Sequence, residues 1–226
     1  MYWFLKILLT PVAFFYFRPF AEGVGNIPRK GACIAASNHV AAIDSLIFPL
    51  LAPRKIYFMG KDAYFTAPGV KGRIAAWFFR SVGVFPVDRA GGSASDSALQ
   101  TSLKILREGH VFGLYPEGTR SQDGRLYKAH TGVARIALQA KVPIIPVAMI
   151  DTNKAQKIGQ TMPKPISCGA KIGKPIKLDA YYGKEVTHEM LREISDNVMR
   201  EIQKLSEQEY VDEYAVKNNT NWGKKK

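Results

Sequence analysis

From residue 31 onward, short apolar runs alternate with longer segments in which apolar positions recur every three or four residues. The runs predict strands over 33–37, 56–59, 82–87, 111–115, 144–150 and 166–172. Helical spacing predicts helices over 44–51, 72–80, 95–108, 132–140 and 187–207. Ser95 is placed to cap the third of these and Gly109 to stop it. In the last, Leu191, Ile194, Val198, Ile202 and Leu205 form one apolar stripe, the mark of core packing. The alternation predicts an α/β fold: a mixed, mostly parallel sheet flanked by helices.

The first twenty residues break this pattern. Fifteen are apolar or aromatic, none is acidic, and Lys6 and Arg18 are the only charged side chains. Pro11 predicts two short helical pieces with a bend between them. Each piece is too short for a hydrocarbon core of about 30 Å, and the aromatic side chains beside cations suit an interfacial anchor. A helix packed on the protein's own core is the alternative. The expected organisation is a membrane-contact helical segment over 1–30, an α/β domain over 31–216 and a basic tail over 217–226, with a flexible Gly/Ser joint at 90–93.

Charge sharpens the picture. Thirty-two Lys and Arg against 19 Asp and Glu give a net charge of +13, so the chain favours anionic partners. No nucleic-acid module is recognisable, and the basic residues are scattered rather than striped, which speaks against nucleic acid. Cys33 and Cys168 are far apart, which excludes a disulfide scaffold. No cluster with metal-ligand spacing occurs, so neither a metal nor a cofactor is expected.

Three polar stretches carry candidate chemistry. Asn38-His39 is followed five residues after the histidine by Asp44, between an apolar run and a helical pattern. On an ideal helix the two side chains lie about 140° apart. They meet only if His39 sits in the turn before the helix, where a carboxylate on one ring nitrogen makes the other a base. Next, the strand pattern at 83–87 runs into Asp88 and Arg89. The third, Tyr115-Pro116-Glu117-Gly118-Thr119-Arg120-Ser121, is a tight turn presenting an acid, hydroxyls and a guanidinium that suits a phosphate monoester. Ser37 and Ser45 are rival nucleophiles, although neither lies in a Gly-x-Ser-x-Gly elbow.

The order and combination of these stretches, with Val142-Pro143-Ile144-Ile145-Pro146 after them, resembles the glycerolipid acyltransferase family over roughly residues 31–150. That family includes the 1-acylglycerol-3-phosphate and glycerol-3-phosphate acyltransferases. The resemblance implies His39 as catalytic base and Asp44 as its orienting carboxylate. It implies acceptor binding by Arg89, Glu117, Gly118, Thr119 and Arg120, with help from Lys61, and association of 142–146 with acyl-donor binding or with shaping the pocket. Lys128-Ala129-His130 departs from the family pattern, so His130 reads as a supporting polar residue. The implied partners are a phosphate-bearing lipid acceptor, an acyl thioester (acyl-CoA or acyl carrier protein) as co-substrate, and an anionic membrane surface at the cytoplasmic face. Glycerol-3-phosphate and other lysophospholipids are alternative acceptors, and a non-catalytic basic membrane binder is the remote alternative. Backbone N–H groups near the 39–44 turn are candidate oxyanion donors.

Overall fold

A computed structural model describes residues 1–87 and 93–216. Arg89, the 90–92 part of the predicted joint and the 217–226 tail lie outside the described residues. The elements run α1 (Tyr2–Phe17), β1 (Phe20–Glu22), β2 (Cys33–Ser37), α2 (Asp44–Leu51), β3 (Ile56–Lys61), α3 (Ala63–Thr66), α4 (Gly69–Ser81), β4 (Val84–Val87), α5 (Ser93–Arg107), β5 (Val111–Leu114), β6 (Leu126–Tyr127), α6 (Gly132–Ala140), β7 (Ile144–Ile150), α7 (Thr152–Ala155), β8 (Gly169–Ile172), α8 (His188–Ser206) and β9 (Tyr210–Val211).

Seven strands form one sheet in the order β1-β8-β7-β2-β5-β3-β4, and only the β7–β8 pair is antiparallel. The central strands β2, β5 and β7 are apolar apart from Ser37 because both sheet faces are covered. Ile34 of β2 lies opposite Phe112 on one side and Ile144 on the other. One core joins Ile47 and Phe48 of α2 with Ala13 and Phe17 of α1. The second, on the opposite face, joins Ile105 of α5, Val133 and Ala137 of α6, and Ile194, Val198 and Ile202 of α8.

Connection direction explains this division. β2 to β3 and β3 to β4 both advance toward the β4 edge, so right-handed crossovers put α2 and α4 on one face. β5 to β7 runs back the other way and carries α6 over the opposite face. Adjacent β2 and β5 therefore send their chains in opposite directions, which opens a crevice at their carboxyl ends. His39 follows β2 and Tyr115 follows β5.

The N-terminal prediction needs correcting. α1 is one continuous helix with Pro11 inside it, not two pieces. Residues from both halves are buried, Tyr2 from the first and Ala13 and Phe17 from the second, so docking holds the helix together across the missing N–H. Lys6 is not free for a headgroup: its ammonium donates to the carbonyls of Pro49 (3.1 Å) and Ala52 at the end of α2. A cation is favourable at that negative pole, and partial burial lowers the lysine's pKa. The outward side of α1 nevertheless exposes Trp3, Phe4, Ile7, Leu8, Val12 and Phe15. Among the described residues no helix is long and apolar enough to cross a membrane.

Candidate active site

The segment between β2 and α2 is held in a non-helical turn by groups remote in sequence. Asn38, fully buried, accepts the N–H of Met149 (2.7 Å) and donates to the Met149 carbonyl (3.2 Å) and to Gln208 (2.7 Å). Gln156 accepts the N–H of Ile43 at 3.0 Å. Regular helix starts only at Asp44, whose charge suits the positive helix end.

Within this turn the imidazole folds back on the carboxylate. His39 Nδ1 lies 2.8 Å from Asp44 Oδ2, and the same oxygen accepts the N–H groups of Val40 and Ala41, each at 2.9 Å. Three donors converging on one oxygen fix both the carboxylate and the Nδ1–H tautomer. Asp44 is fully buried while the histidine side chain is 16% exposed, so Nε2 is the ring nitrogen left to face a substrate. This bonding alters one expectation. The amides of residues 40, 41 and 43 are already engaged by Asp44 and Gln156, so they are not free to act as oxyanion donors.

The 115–121 turn packs directly on the dyad. The rings of His39 and Tyr115 are stacked, with centroids 3.8 Å apart and planes 11° from parallel; Phe58 stacks on the far side of Tyr115 at 5.7 Å. The Tyr115 hydroxyl lies 2.9 Å from Ser45 Oγ, and the Ser121 N–H donates to the His39 carbonyl at 2.8 Å. Burial, then the Asp44 charge, push the Tyr115 hydroxyl well above the usual tyrosine range, so it stays protonated. Gly118 takes φ +74°, and a Cβ there would meet the His130 ring at 2.9 Å; the turn needs glycine at this point.

The predicted binding residues separate in space. Gly118, Thr119 and Arg120 reach the surface of the turn, and the Arg120 guanidinium has no ion pair or hydrogen bond among the described residues. Glu117 does not join them. It is 1% exposed, turned into the protein rather than toward the surface that carries Arg120. Burial pushes its carboxyl up to about 8, with the Tyr127 backbone N–H opposing and the Asp44 and Asp123 charges adding. Lys61 ends β3, on the strand that brackets β5 from the other side.

Other candidates are satisfied elsewhere. Ser37 is buried and donates to the Asn38 carbonyl, and Ser45 faces Tyr115, so among the described residues neither serine hydrogen-bonds to a histidine or carboxylate. Lys128 pairs with Asp212 at 2.9 Å, and His130 stacks on Tyr214. Ile144, Ile145 and Pro146 of the 142–146 block lie buried in β7, paired with β2. Asp123 feels a desolvation cost, but the Arg125 N–H and guanidinium and the Tyr127 and Ser121 hydroxyls hold its carboxyl well below the usual range. It thereby pins the end of the turn. Asn38, Tyr115 and Gln156 are functional supports that sequence reasoning missed; Asn38 and Tyr115 adjoin the motifs, but the sequence carries no sign of their contacts.

The geometry agrees with the similarity to known proteins. The sequence profile of the Acyltransferase family matches residues 18–150. The chain is 29% identical over 146 residues to the chloroplastic 1-acyl-sn-glycerol-3-phosphate acyltransferase of Brassica napus, covering 64% of this chain and 40% of that protein. It is 31% identical over 131 residues to the 1-acyl-sn-glycerol-3-phosphate acyltransferase of Borreliella burgdorferi, covering 58% and 50%. The chain thus spans half or less of the length of these curated relatives. The crystal structure of the 1-acyl-sn-glycerophosphate acyltransferase PlsC from Thermotoga maritima superimposes with a TM-score of 0.68 at 26% identity, covering 88% of this chain and 78% of that one. With the profile matched over more than half its length, and the His39–Asp44 dyad and the 115–121 turn side by side at the sheet's carboxyl edge, the chain belongs to the acyltransferase family, among its PlsC-like glycerolipid members.

Proposed function

We propose that this protein transfers a fatty acyl group from an acyl thioester, acyl-CoA or acyl carrier protein, to the free hydroxyl of 1-acyl-sn-glycerol-3-phosphate, giving phosphatidic acid. The observation that carries the reading is the His39 imidazole, fixed through Nδ1 to a buried Asp44 with its other nitrogen directed outward. His39 Nε2 takes the proton of the acceptor hydroxyl as that oxygen attacks the thioester carbonyl. When the tetrahedral intermediate collapses, the C–S bond breaks and the same nitrogen returns the proton to the departing thiolate. Asp44 stabilises the imidazolium in between. The substrate's hydroxyl stands where a hydrolase has its serine, so no acyl-enzyme forms. Arg120, whose guanidinium has no partner among the described residues and which lies one residue from the Ser121–His39 backbone bond, holds the acceptor phosphate, with Thr119 and the Gly118 backbone beside it.

The outward apolar side of α1 rests on an anionic membrane, where the acceptor resides, and the donor arrives from the aqueous, cytoplasmic side. The names of the relatives favour lysophosphatidate over glycerol-3-phosphate as acceptor. Purified protein given a panel of acceptors should release thiol from the acyl donor fastest with lysophosphatidate. His39→Ala should reduce that rate by about 10²–10⁴-fold without weakening vesicle binding. An unaffected rate removes His39 from the mechanism, and an equal rate without acceptor makes the protein a thioesterase.

A further inference from the structure

We infer that the outer face of α4 is a second docking surface for an anionic bilayer, distinct from α1. At 100° per residue, Val70, Ile74 and Trp77 fall within about 60° of one another on this helix. They are 69%, 60% and 51% exposed. Arg73 and Arg80 flank this stripe on one side and Lys71 on the other, and the helix contains no Asp or Glu. The opposite side is fixed against the protein: Gly72 is buried, and a Cβ there would fall 1.9 Å from the Ala67 carbonyl oxygen. The apolar stripe therefore points outward by construction, the reverse of an ordinary surface helix. Large apolar side chains between flanking cations suit a helix lying in the headgroup region, its stripe in the acyl boundary and its cations snorkelling to phosphates. Arg73, Trp77 and Arg80, with Phe65, also line a shallow groove, where guanidinium forks match a phosphodiester.

Placement gives an independent argument. α4 shares its sheet face with α2, and α1 packs on that same side of the sheet. Two outward apolar helical faces thus stand on one side of the molecule with α2, which opens at Asp44, between them. A flat surface resting on both fixes the tilt of the domain and brings the sheet edge carrying His39 to headgroup level. Charge selects the occupant. A second copy of this chain would bring the same three cations against themselves, whereas an anionic bilayer complements them. The inference rests on the reading of α1 as a membrane contact, and the test separates the two.

Trp77 reports on the surface directly once the other tryptophans are replaced (Trp3→Phe, Trp222→Phe). With vesicles of phosphatidylcholine and phosphatidylglycerol, its emission should shift to the blue and be quenched by lipids brominated on the acyl chain. Val70→Ser with Ile74→Ser should weaken sedimentation with the vesicles by about tenfold or more, at unchanged thermal stability, since both side chains are exposed. Arg73→Gln with Arg80→Gln should weaken the preference for phosphatidylglycerol and leave the apolar insertion of Trp77 in place. Vesicle binding with Trp77 emission unshifted and unquenched overturns the assignment of α4 and leaves that of α1 standing. Absence of vesicle binding in the parent protein overturns both. A dimer abolished by Ile74→Ser identifies a second copy as the occupant and also overturns it.

Discussion

Tyr115 lies flat on His39, 3.8 Å between ring centroids, while its hydroxyl reaches Ser45 at 2.9 Å. One side chain thus touches the ring of the candidate base and the residue after its carboxylate partner, and it belongs to the turn that carries Arg120. Hydrogen bonding to Asp44 restrains Nδ1 but leaves the ring able to rock about that contact; the stacked face restrains the plane. Tyr115→Phe keeps the stack and should retain activity within about threefold. Tyr115→Leu removes the stack and should lower kcat by about ten- to a hundredfold, with KM for the acceptor little changed. Steady-state kinetics on both variants decide it, because a merely structural role would lower protein yield and stability without dividing kcat from KM.

Asp44 is the second case. Asp44→Asn preserves size and one acceptor oxygen for the Val40 and Ala41 amides, so the turn should survive. It removes the charge that stabilises the imidazolium. Acyl transfer should fall by about 10²–10⁴-fold while thermal unfolding stays close to wild type. A large loss of stability would make Asp44 chiefly a cap for the turn.

Much of this arrangement was legible in the sequence because it is local. The central strands are apolar on both faces, so β2, β5 and β7 stand out as unbroken runs, and the helices between them start and stop near their predicted ends. β1, β6 and β9, of two or three residues, are too short for any periodicity, and they exist through pairing with distant strands. The dyad was legible because the spacing of His39 and Asp44 allows the side chains to meet in a pre-helical turn and the combination of motifs resembles a family that uses such a pair. What fixes that turn was not, since Met149, Gln156 and Gln208 lie more than a hundred residues away. Glu117 shows the same limit within a motif. A turn is evident from Pro116 and Gly118, but which of its side chains points inward depends on the core beneath it.

The burial of Glu117 has a consequence for pH dependence. Its carboxyl rises from 4.5 to about 8, so between those values the folded protein holds a proton that the unfolded chain has released. Stability from this group is complete below pH 4.5, declines as pH rises through that window and levels off above 8. The decline amounts to a few kcal/mol. Glu117→Gln, neutral at every pH, should remove this slope and be more stable than wild type at pH 9, with the difference shrinking toward pH 5. Thermal unfolding of both proteins across pH 5–9 measures it, and parallel curves would show that Glu117 ionises normally in the fold.

Arg120 distinguishes phosphate recognition from acyl chemistry. Its guanidinium has no carboxylate partner among the described residues, in a turn whose other charged side chains, Glu117 and Asp123, are buried or bonded. A cation left unpaired beside the dyad gains most from a dianionic ligand. Arg120→Ala should therefore raise KM for lysophosphatidate by about ten- to a hundredfold, the worth of one or two charge-assisted hydrogen bonds. It should leave the slow hydrolysis of the acyl thioester by water unchanged, because that reaction uses His39 and Asp44 but no phosphate. Arg120→Lys keeps the charge without the fork and should fall between the two. Equal losses in transfer and hydrolysis would place Arg120 with the dyad's scaffolding and leave the phosphate to other cations.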